Sequence, residues 1–178
     1  MSKGSSGGSK GGGSGKSGGG NGGGGRPAPI PPGKVVMKTV VLISCVKTKK
    51  EGRQKASDLF SDSTFFNLAL EYANSINPSE INILSSKYHL ISLNEYIQEY
   101  DVSLSKMSEL EKRGWANKVL KQLSKKYDLE NDNFIFLTFC SYSRYLIKHV
   151  RNYITPLEGL NRGQQLRWLR EACENAKK

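Results

Sequence analysis

Val40-Val41-Leu42-Ile43-Ser44-Cys45-Val46-Lys47 decides the fold: an unbroken apolar run that gives way to serine, cysteine and then a cation. A β-branched run without polar alternation predicts a strand covered on both faces, as in a parallel sheet. The pattern recurs twice. Ile81-Asn82-Ile83-Leu84-Ser85 runs into Ser86-Lys87, and Phe134-Ile135-Phe136-Leu137-Thr138-Phe139 runs into Cys140-Ser141-Tyr142-Ser143-Arg144. Helical periods lie between them. Ser61, Asp62 or Ser63 can cap a helix with Phe65, Leu68, Ala69, Tyr72 and Ile76 on one stripe, which Asn77-Pro78 stops. Ser108-Glu109-Leu110-Glu111 fits a capping box opening a helix to about Tyr127.

A third helix is expected from about Ser143 to Val150, then a short extended piece at Tyr153-Ile154. A last helix starts near Asn161, with Leu166, Leu169, Cys173 and Ala176 inward. Lys87 to Ser105 has no sustained periodicity and reads as a long loop or irregular crossover. The alternation of strand and helix predicts an α/β domain, three-layer α/β/α, with a mainly parallel central sheet of about four strands.

This domain is expected over residues 34–178. Residues 1–33 hold most of the 19 glycines, with serines and the run Arg26-Pro27-Ala28-Pro29-Ile30-Pro31-Pro32-Gly33. So few apolar side chains cannot offset the entropy of ordering the backbone, so a disordered Gly/Ser/Pro-rich tail or linker is expected. It reads either as an added linker, with Met37 or a neighbour as native start, or as a natural basic arm carrying Lys3, Lys10, Lys16 and Arg26.

Residues 34–178 hold 23 Lys and Arg against 16 Asp and Glu, a formal charge of +7. That excess suits an anionic partner, most often nucleic acid, though it also serves solubility. No apolar run approaches the ~20 residues of a membrane span, so no membrane partner is expected. Cys45, Cys140 and Cys173 are odd in number and widely spaced, which reads as free thiols in a reducing, cytoplasmic setting. Two histidines and no Cys-x-x-Cys argue against zinc, and no cofactor is implied. Oligomeric state stays open.

In a parallel sheet the three strand ends share the carboxyl edge, where open α/β folds bind ligands. Ser44, Cys45 and Lys47 end the first strand; Ser85, Ser86 and Lys87 the second; Ser141 and Arg144 follow the third. Small residues admit a ligand, hydroxyls donate hydrogen bonds and cations neutralise phosphate. Arg162 in the first turn of the last helix, followed by Gln164 and Gln165, would suit a bound anion or be an exposed arginine at small cost. The 87–105 stretch offers Glu95, Glu99 and Asp101, with Tyr88 and Tyr100 as stacking aromatics and His89 as a shuttle or base contact. Asp58 is a second carboxylate candidate, Cys45 also fits as a small core residue, and His149 reads as structural.

On these residues the sequence resembles a family of bacterial and phage proteins known as a domain of unknown function. The resemblance spans nearly all of 39–170. It rests on Ser44-Cys45-Val46-Lys47-Thr48-Lys49, Ala56-Ser57-Asp58-Leu59-Phe60, Ile83 to Leu90, Tyr100-Asp101-Val102-Ser103-Leu104, Pro156 to Leu160 and Gly163 to Leu169. The first motif is also similar to the Cys-Ser-x-Lys segment in the central domain of archaeosine synthases, whose fold is like that of uracil-DNA glycosylases. The resemblance implies a nucleobase-acting domain and, through phages, a role in phage–host conflict. Two departures stand out: relatives usually carry Gly at His89 and Gly-Ile-Gly at Asn161-Arg162-Gly163.

The functional expectation is a DNA glycosylase-like enzyme that cleaves or exchanges the N-glycosidic bond of a base, plausibly a modified one, with DNA ahead of RNA. Lys47, Lys87 and Arg144 would converge on phosphates around one cleft, Tyr88 or Tyr100 would stack on the base, and Asp101 would stabilise the sugar cation or orient water. Two alternatives stay open, a non-catalytic nucleic-acid-binding or stress-response protein and a nucleoside- or nucleotide-processing enzyme.

Overall fold

The sheet is built outward from β1 (Thr39–Ser44), whose Val40, Val41, Leu42 and Ile43 are each 0% exposed. A strand with no exposed residue on either side needs cover on both faces. The computed structural model describes residues 36–178; the glycine-rich stretch 1–33 lies outside the described residues. β1 pairs in parallel with β3 (Glu80–Ser85) on one side and β6 (Asn133–Leu137) on the other. β7 (Asn152–Ile154) extends the sheet in parallel beyond β6, and β4 (His89–Ser92) closes the opposite edge antiparallel to β3. The five-stranded order is thus β4-β3-β1-β6-β7, one strand more than expected and mainly parallel.

Two crossovers set the layers. From β1 the chain passes through α2 (Thr64–Ser75) to β3, then back across β1 through α3 (Glu109–Lys126) to β6. Right-handed crossovers in opposite directions place their helices on opposite faces of the sheet. α5 (Arg162–Ala176) returns to pack on α2, where the edge of one ring meets the face of the other at Tyr72 and Trp168, 5.2 Å apart. The capping chemistry follows the sequence. Ser63 Oγ accepts from Phe66 N, Ser108 and Glu111 form a capping box, and Asn161 and Gln164 form another. Asn77, at φ 47° just past α2, takes the left-handed turn that ends a helix before Pro78.

The structure corrects two expectations. The 87–105 stretch is not an irregular loop: it contains β4, then β5 (Tyr96–Gln98), then a 3-10 turn at Leu104–Lys106. β5 pairs antiparallel with β2 (Arg53–Lys55), forming a small ribbon that ties this stretch to the β1–α2 connection, which also holds the one-turn α1 (Ala56–Leu59). The expected helix from Ser143 to Val150 is also absent as such. One α-turn, α4 (Cys140–Ser143), tightens into i→i−3 bonding, with Leu146 N donating to Ser143 O at 2.8 Å and His149 N to Leu146 O at 3.0 Å. Tyr142, Leu146 and Val150 keep a helical spacing and are all buried, which is why the sequence reads as helix there.

The β3–β4 hairpin has a three-residue connection, 86–88, and closes on His89 at φ 65°. Such a loop normally ends on glycine, because a Cβ is strained in the left-handed region. His89→Gly is therefore expected to raise stability by about 0.5–1 kcal/mol, the strain relief exceeding glycine's entropy cost. Burial, and Lys118 nearby, hold the imidazole below its ordinary value of 6.5. Between that lowered value and 6.5 the unfolded chain binds the extra proton, so stability is full above 6.5 and declines as pH falls through the window. The His89→Gly variant should lose that part of the pH slope in urea titrations; an unchanged slope and midpoint would contradict both statements.

Candidate functional site

Leaving β1 and β6, the chain turns to opposite faces of the sheet, so a crevice opens between their carboxyl ends. It is a cleft of about 220 Å³. Cys45, Val46, Lys47 and Lys49 line it from the β1 end, Tyr142 from α4, and Asp101, Val102, Ser103, Ser105 and Lys106 from the segment before α3.

That last segment is pinned across the edge by two hydrogen bonds. Tyr100 OH and Ser85 Oγ lie 2.7 Å apart, and Ser86 Oγ donates to Val102 O at 2.6 Å. Asp101 stands between these two anchors, so an exposed carboxylate is carried on fixed backbone. Ser85 also receives the backbone N–H groups of Lys87 and Tyr88, and its own carbonyl accepts from Trp115 Nε1 at 2.8 Å. The strand-end serines therefore build the site rather than face a ligand. Ser44, Ser85 and Ser86 are all buried, and Ser44 Oγ accepts from Phe139 N.

The floor is a thiol and a phenol. Cys45 Sγ lies 3.1 Å from Tyr142 OH and 3.7 Å from Ser86 Oγ. Burial, with the Cys45 sulfur beside them, pushes the Tyr142 and Tyr100 phenols well above their ordinary value. Both therefore remain protonated donors at neutral pH.

The rim is cationic: Lys47, Lys49 and Lys106 face Asp101 around the cleft. Among the described residues none of these four side chains joins an ion pair within 4 Å. A second hollow, lined by Lys47, Lys49, Glu99, Tyr100 and Asp101, adjoins the first, so Asp101 and the two lysines form the ridge between them. Lys49 is the most constrained cation. Its Nζ lies 4.5 Å from the Tyr100 ring centre and 6.0 Å from that of Phe60, and donates to Lys47 O at 3.2 Å. Burial lowers its affinity for a proton, while Cys45 and Asp101 oppose that effect.

Of the residues expected at the site, Cys45, Lys47 and Asp101 line the cleft. Lys87 and Arg144 do not. Lys87 is exposed at the hairpin turn with its ammonium 5.3 Å from the Tyr88 ring, and Arg144 lies over Tyr145 at 5.6 Å. Lys49 and Lys106 stand where those two were expected. Tyr100 is 9% exposed, with Lys49 over its ring and Tyr88 in a T-shaped contact with it, so it is too buried to stack on a base. Tyr88 is half-buried, its OH donating to Gln98 O. Ser141 is half-buried within α4, and His89 belongs to the hairpin closure. At α5, Arg162 covers the Phe65 and Phe139 rings at 5.4 and 5.1 Å, and Gln164 serves the helix's own capping box. Gln165 is buried, donating to Leu160 O, and its Oε1 has no partner among the described residues. Asp58 and Glu95 are exposed away from the cleft lining, and Glu95 accepts from Ser92 N.

Among the described residues no cluster of His, Cys, Asp and Glu could hold a metal, and no helix is long and apolar enough to cross a membrane. No curated protein and no solved structure matches the chain. A family model does match, over residues 40–171, which takes in every strand of the sheet except the first residue of β1, both hollows and the first two thirds of α5. The chain therefore belongs to DUF6884, a family of unknown function.

Proposed function

We propose that this protein is a nucleic-acid base-acting enzyme, a DNA glycosylase-like hydrolase or base transferase that opens the N-glycosidic bond of a base taken out of the stack. One observation carries the reading: an exposed carboxylate, Asp101, shares a small cleft at the switch point of the sheet with three lysines that join no ion pair among the described residues. A volume of about 220 Å³ suits a single heterocycle better than a larger ligand. The similarity of the Ser44–Lys49 motif to nucleobase-modifying domains points the same way.

In this reading Lys47, Lys49 and Lys106 hold the phosphates beside the extruded nucleotide, and the base enters over Cys45, Val46 and Tyr142. The Tyr142 hydroxyl donates to an acceptor on the base edge. Asp101 steadies the positive charge that develops on the sugar as the C–N bond lengthens, then takes a proton from the incoming water or base as the new bond to C1′ forms. The departing base carries away the bonding electron pair and is protonated by solvent, and the proton taken up by Asp101 returns to solvent, which restores the carboxylate. Phage–host conflict is a setting in which modified bases would be the target.

The test uses purified full-length protein with ordinary and base-modified oligonucleotides, followed by alkali. Strand breaks at one kind of base are expected. No breaks on any substrate, together with salt-sensitive binding, would make the protein a nucleic-acid binder and end the catalytic reading. In the same binding series Lys47→Ala with Lys49→Ala should flatten the dependence of log K on log salt by about 1.4–1.8 for two lost phosphate contacts. An unaltered slope would remove both lysines from the interface.

A further inference from the structure

A third hollow, basic like the first two, is related to the cleft through the contact of Tyr142 with Trp115. Trp115 of α3 meets Tyr142 edge-to-face at 5.5 Å, and both rings are buried. Tyr142 lines the cleft, while Ala116, beside Trp115, lines a groove of about 360 Å³ with Arg113, Asn117, Tyr145, Lys148 and His149. Arg113, Lys148 and His149 are exposed. Arg113 and Arg144 both lie near enough to the Tyr145 phenol to act on its charge. The local carboxylate, Glu109, is already engaged: it accepts from Tyr145 OH and pairs with Lys112 at 3.5 Å. Two exposed cations, a histidine and an amide thus line a hollow whose nearby acid is already paired.

We propose that this groove is a second phosphodiester site, which carries the strand flanking the nucleotide in the cleft. The substrate is then a polymer rather than a free nucleoside or nucleotide. The inference rests on the nucleic-acid reading above and extends it. The i→i−3 tightening after α4 is what forms the groove: it sets Tyr145, Lys148 and His149 along the α3 side, one turn beyond the residue that lines the cleft. The 3-10 turn that carries Lys106 packs on α4, and Arg144 just after α4 lies close enough to Glu109 at the start of α3 to act on its charge. Arg113 and Lys148 line the groove beyond, so a strand leaving the cleft past Lys106 would meet these cations. Single strands are commonly held by such a cationic track, one phosphate after another.

The test measures anisotropy of labelled oligonucleotides of ~4 and ~16 nucleotides, deoxy and ribo, over a range of salt. Arg113→Ala with Lys148→Ala should reduce the salt slope on the long strand by about 1.4, and leave the short strand's affinity within about twofold. Arg113→Lys with Lys148→Arg keeps the charges and should keep the slope. An unchanged long-strand slope in the alanine pair overturns the proposal, and so does an equal loss on both lengths. The two readings fail separately. Altered slopes without base release remove the catalytic reading and leave the groove standing; base release with an unmoved slope removes the groove alone.

Discussion

Asp101→Asn is expected to slow base release by about 10²–10⁴-fold while leaving nucleic-acid affinity within about twofold of the parent. Asparagine keeps the shape of the side chain and removes its charge. The backbone around it is held by Tyr100 with Ser85 on one side and Val102 with Ser86 on the other, and neither bond involves the carboxylate. The substitution should therefore leave the cleft's form intact. Binding should not weaken, because the lost charge repels phosphate while Lys47, Lys49 and Lys106 remain. A loss confined to the chemical step is what a transition-state role predicts. Single-turnover rates with enzyme in excess separate that step from binding. Release at the parental rate would disqualify Asp101 and turn attention to Glu99, the other carboxylate on the adjoining hollow.

The sequence announced the sheet more clearly than the cleft. β1 and β3 could be read because their apolar runs have one physical explanation, burial on both faces. β4 and β5 were invisible for the opposite reason. Leu90-Ile91 and the single buried Ile97 are too short to show a period, and their strand state depends on pairing with β3 and β2. Lys47 could be proposed because it directly follows the apolar run of β1, and Asp101 because it adjoins an aromatic residue, Tyr100. Lys49 could not be singled out from Lys47, Lys50 and Lys55, because only the folded ribbon places Tyr100 beneath it. Lys87 misled because it follows a strand end, yet that strand turns straight into a hairpin and carries the lysine off the edge. The groove was hidden in the same way: a helical reading of 143–150 gives no reason to bring Lys148 and His149 against Arg113.

Trp115 links that sheet to the cleft, and its loss should have the largest effect on stability. The indole is 3% exposed, donates to Ser85 O at the end of β3, and braces Tyr142, whose hydroxyl reaches Cys45. Trp115→Ala deletes a buried aromatic and is expected to cost about 3–5 kcal/mol, a large share of the ~5–15 kcal/mol of a typical domain. Trp115→Phe keeps most of the apolar contact but deprives the buried Ser85 carbonyl of its donor, which should cost about 1–3 kcal/mol. Urea midpoints for the two variants give the comparison directly. The intermediate variant is the more informative one, since it removes the donor while leaving a much smaller cavity than alanine does. The Ser85 hydroxyl meanwhile holds Tyr100, and so the Asp101 segment. A phenylalanine that loosens this end of β3 should therefore weaken base release by more than its stability loss explains, under conditions where the protein is fully folded. If Trp115→Phe instead unfolds at the parental midpoint and retains full activity, the indole donor has no part in shaping the cleft.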